Sequence, residues 1–276
     1  MLSALTILSL ALCAPAAVPV RSTDAAPPAD DYEVDVVEPD FMVIDMPTTL
    51  RLPRHAFAFR VTHRFARGLG QGDFGDLAAD LFGFDGGAQI GLELRFAPLT
   101  GNQLGIYRTS DRTLSLFTQQ ELLRPGRAPV ALAALASVEG VDNFQERRSP
   151  RLGLVASRRL GSRGALYVAP AWIGNVRPPS DPGPGDDSTF VLGVGARIRL
   201  GASSALSGEV HPRLAGYKGG PHSAALTAFA LERRVGGHTF QINVSNDLGT
   251  TPAQVARGRT GLDDWFIGFN ISRKFF

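Results

Sequence analysis

From residue 54 onward the chain repeats one pattern: segments of about ten residues in which apolar and polar side chains alternate, bounded by Gly, Pro, Asp or Asn. Successive side chains of a strand point to opposite faces, so a period of two gives each segment one apolar and one polar face. Phe57, Phe59, Val61 and Phe65 alternate with Ala58, Arg60, Thr62 and Arg64, and Ile90, Leu92, Leu94 and Phe96 with Gln89, Gly91, Glu93 and Arg95. Phe190, Leu192, Val194, Ala196 and Ile198 oppose Gly193, Gly195, Arg197 and Arg199, and Phe240, Ile242 and Val244 oppose Gln241, Asn243 and Ser245. From Leu206 to Leu214 the polar side carries Ser207, Glu209, His211 and Arg213. About twelve such segments can be counted. No apolar run of about 18 residues follows Arg54, which excludes helical membrane spans there.

A soluble antiparallel sandwich would alternate in the same way, with apolar side chains inward and polar ones outward. The connections discriminate. After odd-numbered segments they are mostly long, at 66–86, 139–149, 175–187, 217–221 and 247–262; after even-numbered ones they are short, at 98–102, 124–129, 161–164, 201–203 and 235–237. One turn, near Asp111, is short on the long side. Long loops on one rim and tight turns on the other are the pattern of outer-membrane barrels, and an even strand count puts both termini on the periplasmic side. Lipid offers no hydrogen bonds to a free sheet edge, so the sheet must close on itself, last strand against first. The expected fold is all-β: a closed antiparallel transmembrane barrel over residues 54–276. Its closing strand has Trp265, Ile267, Phe269, Ile271 and Phe275 on the lipid-facing register, with Phe276 on the other side.

The start of the chain sets the compartment. Residues 2–20 are apolar and uncharged, Arg21 ends the run, and Ala14-Pro15-Ala16 has the small-x-small pattern of a signal-peptidase site. Pro15 and Pro19 argue against an uncleaved spanning helix. Residues 1–16 are therefore expected to be a signal peptide and the location to be the outer membrane, reached through the barrel-assembly machinery. Residues 17–53, rich in Pro and in the acids Asp30, Asp31, Glu33, Asp35, Glu38 and Asp40, read as an acidic periplasmic linker. The apolar run 41–46 could dock elsewhere, and the linker could bind a periplasmic partner. A net charge of +2 with scattered basic residues gives no reason to expect nucleic-acid binding.

Several stretches carry a resemblance: Thr62-His63-Arg64-Phe65, then Leu81-Phe82-Gly83-Phe84-Asp85-Gly86-Gly87-Ala88, Arg108-Thr109-Ser110, Gly236-Gly237-His238-Thr239-Phe240-Gln241, and the closing Gly268-Phe269-Asn270-Ile271-Ser272-Arg273-Lys274-Phe275. In order and spacing they resemble a family of bacterial outer-membrane β-barrel proteins with no assigned activity. The resemblance implies a fold and a compartment; it brings no catalytic residue. The terminal aromatics also look like the C-terminal signal that barrel assembly reads, although Arg273 takes a position that is usually apolar.

The polar face is the chemically informative one. Arg60, Arg64, Arg95, Arg197, Arg199, Arg213 and Lys274 outnumber Glu93, Glu209 and Glu232, which favours anions in the lumen. The candidate lumen and ligand residues are Arg60, Glu93, Arg95, Arg197, Arg199, Glu209, His211 and Arg213. Equally weighted is a ladder in which Arg and Glu pair across strands and plug the interior. About twelve strands leave a narrow channel or a blocked one. Five histidines show no metal-ligand spacing, and no cofactor motif is present. His63 and His238 share the apolar register, and Trp172, Trp265 and Tyr217 suit an interfacial girdle. Gly68, Gly70, Gly72 and Gly75 read as an external loop rather than a phosphate loop. No serine has a nucleophile context, and pairing Ser207 with His211 as a lipid hydrolase is the least supported option. The leading expectation is a non-enzymatic barrel acting as a narrow pore or binding barrel for small anionic solutes. The alternative is a blocked-lumen scaffold or adhesin.

Overall fold

In the computed structural model, which describes residues 38–124, 129–178, 185, 187–219, 223–258 and 264–275, the alternating segments form one sheet. In chain order it comprises β1 (Phe57–Phe65), β2 (Ala88–Leu99), β3 (Asn102–Thr109), β4 (Leu114–Leu123), β5 (Ala131–Gly140), β6 (Arg148–Arg159), β7 (Gly164–Ile173), β8 (Thr189–Arg199), β9 (Ser204–His211), β10 (Arg213–Gly216), β11 (Leu226–Val235), β12 (His238–Ser245) and β13 (Phe266–Phe275). β9 and β10 are one strand interrupted at Pro212, and both pair with β8, so the barrel has twelve staves. Every neighbouring pair is antiparallel, and β1 pairs with β13 from Phe57↔Phe275 to Arg64↔Gly268. That seam removes the free edge and closes the barrel. Phe57 and Phe275 stack across it at 4.5 Å between ring centroids.

The register follows the alternation. On β1, Phe57 and Phe59 are exposed while Ala58, Arg60, Thr62 and Arg64 are buried; β2 exposes Ile90, Leu92, Leu94 and Phe96 and buries Glu93 and Arg95. An exposed apolar face around a buried polar one inverts a soluble fold and is stable only against hydrocarbon. On β13, Ile267, Phe269, Ile271 and Phe275 lie on this outer side, with Trp265 just before the strand; Phe276 and the signal segment lie outside the described residues. Phe269 stacks on His63 at 4.7 Å, which places that histidine on the outer side as well. The long rim carries α1 (Phe74–Ala79) between β1 and β2, in the glycine-rich loop, and α2 (Pro252–Arg257) between β12 and β13. α2 turns inward and buries Ala253, Val255 and Ala256.

Residues 38–53 depart from the expected linker. All of them except Met42 are buried, inside the barrel. The correction has two physical causes. First, the apolar side chains Val43, Ile44 and Met46 find an inner wall that is apolar on part of its circumference, where Ala133, Ala165, Ala169, Ala228 and Ala230 face inward with Tyr167 and Leu135. Burying each of those three side chains is worth about 1.5–3 kcal/mol relative to leaving it in water. Second, the acids Glu38, Asp40 and Asp45, repulsive in a free linker, each meet a basic side chain of the wall. The expectation of a uniformly polar inner face fails along β7 for the same reason. Its inward Ala165, Tyr167, Ala169 and Ala171 leave room for the inserted segment.

Candidate functional site

The inserted segment makes a tight reversal, with Val43 N donating to Met46 O at 2.7 Å and Thr48 N to Phe41 O at 2.8 Å. At its tip the backbone N–H groups of Ile44, Asp45 and Met46 all donate to the Glu209 carboxylate, at 2.9, 2.8 and 3.1 Å. Three consecutive amides around one anion form a concave nest, here with a wall carboxylate as its guest. His211 Nε2 lies 3.1 Å from the same carboxylate. Beside them Gly193 and Gly195 on β8 allow Met46 to lie against bare backbone. A Cβ on Gly193 would come within 2.8 Å of Met46 Sδ.

The wall takes up most of the segment's other polar groups. Arg197 Nη2 donates to Met42 O at 3.1 Å, Gln241 Nε2 to Val43 O at 2.6 Å, Gln119 Nε2 to Thr48 O at 3.0 Å and Gln103 Nε2 to Leu50 O at 2.8 Å. Arg60 donates to Ile44 O. Arg64, only 1% exposed, pairs with Asp45 at 2.8 Å and donates to the carbonyls of Asp247 and Gly249 in the inward loop before α2. Glu38 pairs with Arg159, Asp40 with Lys274 and Arg51 with Glu121. Wall, inserted segment and inward loop therefore share one polar network.

The candidate lumen residues divide by position. Arg60, Glu93, Arg95, Arg197, Glu209 and His211 are buried on the inner face. Arg199 and Arg213 are half-buried at opposite rims. Arg199 Nε donates to Gly201 O at 2.8 Å on the short-turn side, and Arg213 fastens Ser223 and Ala224 on the loop side. On β8, β9, β11 and β12 the inner charges form a ladder. Arg197 pairs with Glu232 at 2.9 Å, and Glu232 also accepts from Ser207 at 2.5 Å and Gln241 at 3.1 Å. Ser207 thus bonds Glu232 and His211 bonds Glu209; the pair weighed for hydrolysis is not brought together. Trp172 is exposed on the outer face, but Tyr217 is buried with Ala171, Ile173 and Val191 under α2, which removes it from the girdle.

On the side formed by β1 to β6 the interior leaves space. A cavity of about 50 Å³ is bordered by Arg60, Glu93, Arg95 and Arg151 on the wall, by Met42, Asp45 and Pro47 of the inserted segment, and by Thr250 and Pro252 of the inward loop. A second, of about 20 Å³, shares Asp45, Pro47, Arg151 and Pro252 with it and reaches His211. Glu93 balances Arg95 and approaches Arg60 at 4.0 Å. Arg151 is a site residue the lumen reading passed over. It was available by extending the period of two, since Ser149, Arg151, Gly153, Val155 and Ser157 share one face of β6.

A family model described as "Membrane bound beta barrel domain (DUF5777)" matches residues 40–275. The chain belongs to this family. The matched region begins inside the inserted segment, so most of residues 38–53 belongs with the family's barrel domain rather than with an appended linker. No curated protein sequence matches the chain. Among solved structures the NanC porin is similar at 9% identity with a TM-score of 0.56, covering 80% of this chain and 100% of that one. The KdgM porin follows at 10% identity, covering 80% and 99% with a TM-score of 0.47. The outer membrane phospholipase A from Escherichia coli follows at 12%, covering 82% and 94% with a TM-score of 0.41. At these identities the likeness concerns fold alone. The family match and the NanC likeness agree with the closed outer-membrane barrel that the strand pairings show.

Proposed function

We propose that this member of the DUF5777 family is a narrow, non-enzymatic binding barrel or pore that admits small anionic solutes to its lumen. The observation that carries the reading is an interior cavity whose border brings Arg60, Arg95 and Arg151 together against Asp45 and Glu93, with a second cavity adjoining it at Asp45 and Arg151. Buried guanidinium groups favour anions strongly where water is scarce. The NanC porin, similar in fold, lends background support. Residues 38–53 restrict the lumen, so passage would run beside that segment or require it to shift. Planar-bilayer recording tests the reading. The full chain should give small, anion-selective steps, and a variant lacking residues 38–53 should give steps several-fold larger with the same selectivity. Silence from both proteins would overturn it.

A second reading, a closed envelope scaffold, is favoured by one specific observation: wall groups bind the inserted segment at Glu209, Arg197, Gln241, Gln119 and Gln103. It predicts no conductance from the full chain in any salt.

A further inference from the structure

We infer that Arg151, with Arg60 and Arg95, forms a binding site for one small tetrahedral oxyanion of the phosphate or sulfate class, enclosed between the barrel wall, the inserted segment and the inward loop. The inference deepens the anion reading above and rests on it.

Three observations carry it. The first is unmet hydrogen-bonding capacity. Among the described residues Arg60 Nε, Arg95 Nη1 and Arg151 Nε are buried and have no hydrogen-bond partner. Arg151 makes no hydrogen bond or ion pair to any described residue through its other nitrogens either. A buried N–H without an acceptor costs about 1–3 kcal/mol, and more on a charged group, so three such groups on residues bordering one space favour an acceptor there. All three residues border the same cavity.

The second observation is charge. Around the cavity stand Arg60, Arg64, Arg95 and Arg151 against Asp45, Glu93 and Glu139, which leaves an excess of one positive charge. Each carboxylate already has a partner, with Asp45 Oδ1 left over as one unpartnered acceptor. Asp45 is held by Arg64 at 2.8 Å and Glu93 by Arg95. Glu139, diagonal to Arg151 across the β5–β6 pair, accepts from Thr251 Oγ1 and Ala253 N, both at 3.0 Å. Arg151 alone has no anion of the protein within 4 Å among the described residues. Glu139 acts on it electrostatically from beyond 4 Å, and an anion at contact distance would offset more of the cost of holding that charge away from bulk water.

The third observation is size and chemistry. A cavity of about 50 Å³ has room for a small oxyanion of a few heavy atoms. The guanidinium fork suits two oxygens of such an anion, and the hydroxyl of Ser137 on the border can donate to a third. Ser137 is the register partner of Arg151, so β5 and β6 present both to the same point.

Calorimetric titration of the refolded full chain in detergent with sodium phosphate and sodium sulfate tests this, with Arg158→Gln as the control on the outer face of the same strand. One phosphate should bind per chain, and Arg151→Gln should weaken it at least tenfold while Arg158→Gln leaves it unchanged. Arg151→Lys, which keeps the charge but loses the fork, should fall between. Heat-modifiable gel migration reports folding of each variant. If Arg151→Gln does not fold, Ser137→Ala replaces it and should weaken phosphate several-fold. Absence of phosphate and sulfate binding to the full chain, or equal binding to Arg151→Gln, would overturn the site. Phosphate binding without bilayer conductance would refute the pore and leave the site standing; conductance without phosphate binding would refute the site alone.

Discussion

At the scale of single residues the interior works by satisfying charges that a free chain would keep in water. Glu209 is the clearest case, because one carboxylate takes the three amides at the tip of the inserted segment. Replacing it by Ala orphans three buried N–H groups, each worth about 1–3 kcal/mol. Glu209→Ala should therefore lower unfolding stability in detergent by about 3 kcal/mol or more and expose residues 38–53 to protease. An unchanged urea midpoint with an unchanged cleavage pattern would show that the segment is held by its apolar contacts instead. The alternation of Glu209 and His211 with apolar neighbours was enough to place both in the lumen. Their guest was not visible in the sequence, because Glu209 and Asp45 are 164 positions apart and only closure of the barrel brings them together.

At the scale of elements the seam and the rim carry separate consequences. Ile271 on β13 sits between Val61 on β1 and Phe240 on β12, on the lipid side of the closing strand. A charge there must be dehydrated by hydrocarbon, so Ile271→Lys should destabilise the barrel by about 2–4 kcal/mol if it lies near the midplane. The check is loss of heat-modifiable migration at lower denaturant than for the parent; no shift would contradict the outward register. At the rim, Asp111 in the β3–β4 turn ties that turn to α2 by accepting from Gln254 Nε2 at 2.7 Å. Burial raises the Asp111 pKa, but hydrogen bonds from Thr109 and Thr113 outweigh it and hold the carboxyl below its ordinary value of 3.8. A group depressed on folding adds stability above its unfolded pKa and loses it as pH falls through the folded one. Docking of α2 should accordingly be intact above about pH 4 and loosen below it, read as faster amide exchange over Thr251–Gln254, and Asp111→Asn should flatten that dependence. The short turn near Asp111 breaks the long-loop rule in the sequence, and in the structure it is tied to α2 of a distant loop through Gln254.

At the scale of the whole molecule the barrel is a wall built around its own amino-proximal segment. The amides of Ile44, Asp45 and Met46 should therefore exchange as slowly as those of β8 and β9, by hydrogen–deuterium exchange in micelles; exchange within seconds would mean the segment leaves the lumen freely. By itself the sequence determined what depends on neighbours along the chain: a period of two, turn residues at regular spacing, and loops alternately long and short. Strand number, the faces of Arg60, Glu93, Arg95 and Arg197, the outer-membrane location and the seam of last strand on first follow from those, because side chains of a strand must alternate and lipid tolerates no open edge. Only the tertiary structure decided what fills the lumen. An acidic, Pro-rich stretch has no local reason to order, and residues 38–53 become ordered because distant strands supply Arg64, Arg159 and Lys274 for their acids and alanines for their apolar side chains. It likewise paired the charges on β8 to β12 and left Arg151 facing a cavity, since pairing depends on which staves become neighbours and how much space the enclosed segment leaves.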